Sequence, residues 1–185
     1  MKIVKDVILA TTRFLVFKER HYIGKNDKSG IWNMVSRVNG TRAVVIVAFK
    51  ECNLKEGRKI VVNKEFRVPI ADWEYGFPAG LIDEGESVEE AVRRELKEET
   101  GLDVVRFVEI SPFVDSSAGM TDESIALAFV EVNGTISDNG HEASENIITR
   151  LLGCSDVEKL LHNDYKFDAK AWIILNRFAR SGEVI

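Results

Sequence analysis

The sequence predicts an α/β or α+β sandwich, because strands, one helix, more strands and two helices follow one another in that order. Residues 42–50, RAVVIVAFK, are apolar enough for a central buried strand. One strongly acidic helix follows a glycine-rich turn at Gly80, and two helical segments close the chain. With 185 residues, the chain is long enough for one domain with a proper core.

The composition excludes several functional classes. The net charge of −5 argues against nucleic acid or an anionic membrane as the main partner. No apolar run approaches the roughly 18 to 20 residues that span a membrane. Lys5 and Asp6 interrupt the first apolar patch, which therefore does not resemble a signal peptide. Cys52 and Cys154 form no recognisable pair, and we expect a cytoplasmic protein.

Residues 1–40 are predicted to form a small N-terminal β segment, followed by the main domain at 41–185. Ile3–Leu9, Arg13–Lys18 and Ile31–Val38 have strand-like composition. Such short strands bury little apolar surface alone. We therefore expect the segment to pack on the main domain or on a second subunit.

The main domain contains five further predicted strands besides 42–50 and three helices. The first helix begins with a capping box, Ser87-x-x-Glu90, buries one apolar stripe and ends at Gly101. A second capping box, Ser155-x-x-Glu158, is predicted to open the next helix. The strands are Arg58–Phe66, Trp73–Phe77, Val104–Ile110, Ser124–Val132 and Ile147–Leu152; the first helix buries Val88, Ala91, Val92 and Leu96, and the last helix, 168–180, carries Ala171, Trp172, Leu175, Phe178 and Ala179 on one face.

The acidic helix carries a candidate cation site. Glu95 and Glu99 are one turn apart, and Glu98 is close to both in sequence. We expect the three carboxylates to converge on one side of the helix, and all-oxygen sites suit hard divalent cations such as Mg²⁺ or Mn²⁺. Taken alone, an E-x-x-E-E pattern is more often an exposed acidic face.

The surrounding residues favour the cation site, because residues 80–102 resemble the Nudix box, G-x5-E-x7-R-E-U-x-E-E-x-G-U with U apolar. The resemblance implies an α/β/α sandwich with a mixed sheet and Mg²⁺-dependent hydrolysis of a nucleoside diphosphate linked to another moiety, with Mn²⁺ as an alternative. The matching positions are Gly80, Glu86, Arg94, Glu95, Leu96, Glu98, Glu99, Gly101 and Leu102.

The same resemblance implies roles inside the box. Glu95 and Glu99 match direct metal ligands, Glu98 matches a ligand or a water-mediated ligand, and the carbonyl of Ala79 matches a backbone ligand. Arg94 is interpreted mainly as the partner of Glu86 in an ion pair that fixes the loop to the helix. A catalytic role for Arg94 is the alternative.

Outside the box, the chain resembles the ADP-ribose and nucleoside diphosphate sugar pyrophosphatases through its FPAG sequence at 77–80, Arg67 and the N-terminal β segment. In that branch, Trp32 matches an aromatic that stacks on adenine, and Arg37 matches an arginine that reaches a phosphate. The resemblance implies a homodimer in which this segment is swapped. A core or interface position is the alternative for Trp32, and Arg67 is the candidate for gripping the pyrophosphate.

Two positions depart from that branch. Ala118 stands where the branch has a proline sixteen residues after the box, and Gly76 stands where it usually has a glutamate. The loop at 117–123 still resembles the branch, which makes Gly119 and Met120 candidate substrate contacts. Glu74 would point to the same face of its strand as residue 76. The identity of the sugar is therefore left open.

The branch places the general base on a late loop, where Glu145 occupies the matching position. Glu142 is the rival, His141 is a weaker candidate, and Glu98 is the candidate if the base lies in the box.

The resulting prediction is hydrolysis of ADP-ribose or a similar nucleoside diphosphate sugar to a nucleoside monophosphate and a sugar phosphate. The alternatives are a house-cleaning nucleoside triphosphate pyrophosphatase and a non-catalytic domain that senses nucleotide sugars.

Overall fold

The structure, a computed structural model, describes residues 1–53, 57–141 and 146–185. Within these ranges no helix is long and apolar enough to cross a membrane. The strands are β1 (Lys2–Thr11), β2 (Leu15–Ile23), β3 (Ser29–Arg37), β4 (Arg42–Glu51), β5 (Arg58–Arg67), β6 (Asp72–Gly76), β7 (Ala79–Leu81), β8 (Asp103–Ile110), β9 (Val114–Asp115), β10 (Ser124–Asn133), β11 (Ile147–Leu152) and β12 (Lys166–Phe167), and the helices are α1 (Val88–Thr100), α2 (Cys154–Leu161) and α3 (Ala169–Ser181).

The first three strands form their own antiparallel sheet, in the order β1-β2-β3. This N-terminal sheet meets the rest of the chain at the loop after β9, where the amide of Val35 donates a 2.9 Å hydrogen bond to the carbonyl of Met120. The boundary between 1–40 and 41–185 as separate domains stays a prediction.

The large sheet is mixed, and β4 lies near its centre. β4 pairs in parallel with β10, with Ala43 opposite Ile125. Over the same stretch it pairs with the antiparallel β7, with Ala43 opposite Leu81. β5 pairs with β4, β6 and β11. The starts of β4 and β10 and the short β7 are therefore side by side.

Both faces of this sheet are covered by helices. Alternate residues of β4 point to opposite faces, as period-2 geometry requires. Val44 and Ile46 belong to a core beneath α1, whereas Val45 and Val47 belong to a core beneath α2 and α3. The predicted α/β/α sandwich with a mixed sheet is confirmed.

Three local expectations were wrong. α2 begins with Gly153 as its N-cap and no side-chain cap, rather than with a Ser155 capping box, because the amides of Asp156 and Val157 bond to the Gly153 carbonyl. Trp172 is 50% exposed, while Ala171 of the same helix is buried. The second strand was predicted at Arg13–Lys18, but β2 spans Leu15–Ile23, because β1 and β3 pair with it on both edges.

Candidate active site

The turn and helix at residues 79–101 are fixed at both ends of α1. The Ser87 hydroxyl accepts from the amide of Glu90 at 3.2 Å, and the Glu90 carboxylate accepts from the amide of Ser87 at 2.8 Å. Gly101 ends the helix at φ 73°, in the left-handed region that favours glycine. The predicted capping box and C-terminal glycine are confirmed, and they hold the acidic helix in a defined position.

Two carboxylates of α1 lie against the backbone of β7. A Cβ added to Gly80 would overlap the carboxylate of Glu95, so any other residue here would displace that carboxylate from the β7 backbone. The Glu99 Oε1 accepts from the amide of Ala79 at 3.4 Å. Carboxylate oxygens are the donors that hard divalent cations prefer, so the chemistry of these two side chains fits such an ion.

Glu98 does not join this pair. Its side chain is 51% exposed and lies 3.5 Å from Arg94. Within the described part of the chain, no three Asp, Glu, His or Cys side chains form a group that could hold a metal ion. The structure thus brings together two of the three carboxylates that we expected to converge.

Arg94 connects the loop to the helix. Its Nε and Nη2 donate to the two carboxylate oxygens of Glu86 at 2.9 and 2.7 Å. Nη1 donates to Glu95 at 2.6 Å, and Nη2 donates to the carbonyl of Leu81 at 3.0 Å. The hydrogen bond from Arg94 lowers the pKa of the Glu86 carboxyl below its usual range. These contacts support a structural ion pair and also orient Glu95.

A cavity of about 340 Å³ opens beside this turn. It brings together the two predicted phosphate-binding arginines, Arg37 on β3 and Arg67 on β5, with Ala79 and Gly80. Arg37 is paired with Glu123. The guanidinium of Arg67 lies 2.8 Å from Glu65 and 3.6 Å from Glu74. An anion bound in this cavity would contact the guanidinium groups of Arg37 and Arg67, which are already oriented by their carboxylate partners.

The predicted adenine contacts lie in a second cavity, of about 390 Å³, between the N-terminal sheet and the loop after β9. Trp32 and Met120 line it together with Ala118. The indole of Trp32 is 52% exposed and donates to the carbonyl of Gly119 at 3.0 Å. The predicted substrate residues are therefore divided between two cavities.

The two departures from the family pattern lie in different places. Gly76 and Glu74 both line the cavity that contains Arg37 and Arg67. This agrees with the prediction that the two residues lie on one face of β6. Ala118 lines the cavity of Trp32.

The structure describes only some of the candidates for the general base. Glu145 and Glu142 lie outside the described residues. The Nε2 of His141 lies 2.7 Å from the main-chain carbonyl of Glu99. Since a carbonyl can only accept, this contact makes Nε2 the protonated ring nitrogen of His141.

Sequence analysis missed three side chains at this site. Asn63 of β5 is only 2% exposed and donates to the Glu99 carboxylate at 2.7 Å. Asp168 and Lys170, at the start of α3, line the cavity of the arginines. The one available signal was an amide at the end of the apolar run Ile60–Val62 of β5, since buried polar groups need a partner.

Comparisons with known proteins agree with this geometry. A family model described as the NUDIX domain matches residues 41–172. An ADP-ribose pyrophosphatase of Saccharomyces cerevisiae is 31% identical over 165 residues, which cover 80% of this chain and 70% of the yeast protein. An ADP-sugar pyrophosphatase of Mus musculus is 28% identical over 141 residues, covering 74% of this chain and 64% of the mouse protein.

A solved structure described as an ADP compounds hydrolase shares the fold. Its TM-score is 0.72 at 18% identity, over 100% of this chain and 96% of that one. The chain spans only part of the length of the two curated relatives. The matched family model nevertheless covers more than half of this chain, and the chain belongs to the NUDIX domain family.

Proposed function

We propose that this protein hydrolyses the pyrophosphate bond of ADP-ribose or a similar nucleoside diphosphate sugar. The observation that carries the proposal is the placement of the Glu95 and Glu99 carboxylates on the Ala79–Gly80 backbone, at the edge of the cavity that contains Arg37 and Arg67. The names of the yeast and mouse relatives support the substrate class.

The cation is proposed to be Mg²⁺, or Mn²⁺ in its place, held by Glu95, Glu99 and the carbonyl of Ala79, with Glu98 as a direct or water-mediated ligand. Such an ion neutralises the charge of a pyrophosphate and polarises its phosphoryl oxygens. Arg94 holds Glu95 in position through its 2.6 Å contact.

In the proposed reaction the oxygen of a water forms a bond to one phosphorus, and the bridging P–O–P bond breaks. The products are a nucleoside monophosphate and a sugar phosphate. Glu145 accepts the proton of the water as general base. Arg67 and Arg37 grip the phosphate oxygens, for which a planar guanidinium is suited. Trp32 stacks on the base, with Gly119 and Met120 beside it.

A substrate panel tests this proposal. The protein is incubated with Mg²⁺ and ADP-ribose, other nucleoside diphosphate sugars, dinucleotides or nucleoside triphosphates, and phosphate released by added phosphatase is measured. We expect the fastest turnover with a nucleoside diphosphate sugar. Triphosphates as the best substrates would establish the house-cleaning alternative, and no turnover at all would favour a nucleotide-sugar sensor.

The base is tested by a matched pair of variants. Glu145→Gln should lower kcat by about a hundredfold or more with little change in substrate affinity. Glu142→Gln serves as the control and should retain activity. The reverse result would make Glu142 the base.

We also propose a homodimer formed through the N-terminal sheet. Several large apolar side chains of this sheet and its first turn are exposed, and contiguous exposed apolar surface marks interaction sites. They are Ile3, Ile8, Phe14, Phe17 and Ile31. Light scattering after size exclusion should give twice the chain mass of 20.8 kDa. A cytoplasmic location remains a prediction from the cysteine usage.

A further inference from the structure

We propose that Asn63, itself oriented by Thr149, is a positioning residue that sets the orientation of the Glu99 carboxylate and thereby the affinity of the site for its cation. The inference rests on the proposed role of Glu99 as a cation ligand. It goes beyond the Nudix box, because Asn63 lies on β5 and Thr149 lies on β11, far from the box in sequence.

Asn63 occupies a position where an apolar residue would be expected. Its neighbour Val61 points to the same face of β5 and belongs to the core beneath α1. Asn63 is 2% exposed, and a buried amide is costly unless its polar atoms are paired. Its pairing with Glu99 therefore accounts for an amide in this place.

The Glu99 carboxylate is held from two strands. Oε2 accepts from the Asn63 Nδ2 at 2.7 Å, and Oε1 accepts from the amide of Ala79 at 3.4 Å. Glu99 itself is 6% exposed. A long, flexible side chain that is fixed at both oxygens loses little further conformational entropy when a cation arrives.

The hydrogen-bonding chemistry fixes the direction of the Asn63 amide. A carboxylate that binds a cation is ionised and can only accept, so the NH₂ group of Asn63 must face Glu99. The Asn63 Oδ1 then faces the hydroxyl of Thr149, which lies 2.8 Å away and can donate to it.

The Thr149 hydroxyl has two acceptors within reach. The same hydroxyl also lies 3.2 Å from the main-chain carbonyl of Glu99, and it has only one proton to donate. That carbonyl already receives the shorter 2.7 Å contact from His141. The Asn63 Oδ1 is the nearer of the two acceptors, at 2.8 Å, so the Thr149 proton is assigned to Asn63 and the order of donation runs from Thr149 through Asn63 to Glu99.

Direct Mn²⁺ binding tests the inference without relying on turnover. Free Mn²⁺ is measured by electron paramagnetic resonance during titration of the protein, in the absence of substrate. Partners that orient a metal ligand typically contribute about 10- to 100-fold in affinity. We expect Asn63→Leu, which is similar in size but lacks an amide, to weaken Mn²⁺ binding by about tenfold.

Thr149 offers a matched pair that does not depend on the folding of the Asn63 variant. Thr149→Val removes the hydroxyl at nearly constant shape and should weaken Mn²⁺ binding severalfold. Thr149→Ser restores the hydroxyl and should bind Mn²⁺ as the unaltered protein does. Melting temperatures measured without metal monitor folding, and the Mg²⁺ concentration for half-maximal turnover should rise in the same order as the Mn²⁺ dissociation constants.

The outcomes separate this inference from the proposed function. If Glu99→Gln leaves Mn²⁺ binding unchanged, the proposed cation site fails. If Glu99→Gln weakens binding while Thr149→Val and Asn63→Leu do not, only the positioning role fails. Equal losses in Thr149→Val and Thr149→Ser would also overturn it, because the hydroxyl would then not be the cause.

Discussion

The turn and helix at 79–101 and the N-terminal sheet hold their functional side chains in different ways. In the first region, Glu95 contacts Arg94, the preceding residue in the chain, and the buried Glu99 accepts hydrogen bonds from Asn63 and the amide of Ala79. In the N-terminal sheet, Trp32 is half exposed and depends on Gly119, which is 87 positions away. Under the proposed function, the chemistry would depend on carboxylates that are each held by hydrogen bonds, whereas substrate recognition would depend on a contact between two parts of the fold.

The largest effect is expected from Glu99→Gln, which keeps the shape of the side chain and removes its charge. We expect cation-dependent turnover of the best substrate to fall by at least about a hundredfold, because a neutral amide is a poor ligand for a hard cation. Circular dichroism should show an unchanged fold. Glu89→Gln, an exposed position on the same helix, is the control. Full activity of the Glu99→Gln variant would contradict the proposal that Glu99 binds the cation.

Arg94→Lys should mainly affect stability. Lysine keeps the positive charge but cannot reproduce the two-pronged contact with Glu86 and the bond to the Leu81 carbonyl. We expect a loss of about 2 kcal/mol in the free energy of unfolding, measured with urea. Arg93→Lys, at the neighbouring exposed position, should cost far less. Lost turnover at unchanged stability and unchanged Mn²⁺ affinity would instead support the catalytic alternative for Arg94.

Trp32→Ala tests the second region. If Trp32 stacks on the base, its removal should raise KM by about tenfold with kcat little changed, as expected for one aromatic stacking contact. Trp172→Ala is a matched control, because Trp172 is also half exposed but lies on α3. Unchanged KM together with a loss of dimer would make Trp32 an interface residue.

The smallest effect concerns pH and the N-terminal sheet. Hydrogen bonding from Arg20, with Lys18 nearby, lowers the pKa of Asp6 from 3.8 to about 2. The folded state therefore binds the proton less readily than the unfolded state. The pair stabilises the protein above about pH 4, and this contribution is lost as the pH falls toward 2.

Asp6→Asn removes this contribution. The melting temperature of the variant should be slightly below that of the unaltered protein at pH 6, and the two should converge between pH 4 and 2. A constant difference across this range would show that the effect of Asp6 is not electrostatic.

The parts of the site that were predictable from sequence depend on neighbours in the chain. The Ser87 capping box and the Gly101 cap each involve residues within one or two turns of a helix end, so their spacing is enough to predict them. The same reasoning failed at Ser155, because the backbone of Gly153 closed the first turn of α2 before the capping signal. The Glu86–Arg94 pair followed from the resemblance to the Nudix box.

The remaining contacts join residues that only the tertiary fold brings together. Asn63 meets Glu99 across 36 positions, and Thr149 meets Asn63 across 86. Nothing in the local pattern of β5 or β11 specifies this pairing. The exposure of Trp172 has a similar origin, because the width of the buried stripe of α3 depends on the partners that cover it.

The position of β4 between β7 and β10 has a consequence for how such a site can diversify. Ala43 is aligned with Leu81 on one side and with Ile125 on the other. The turn at Ala79–Gly80 and the root of the loop before β10 are thus two interstrand spacings apart, or roughly 10 Å. Backbone hydrogen bonds set this separation, so the loop before β10 could change in length and composition while the turn at Ala79–Gly80 keeps its position relative to β10.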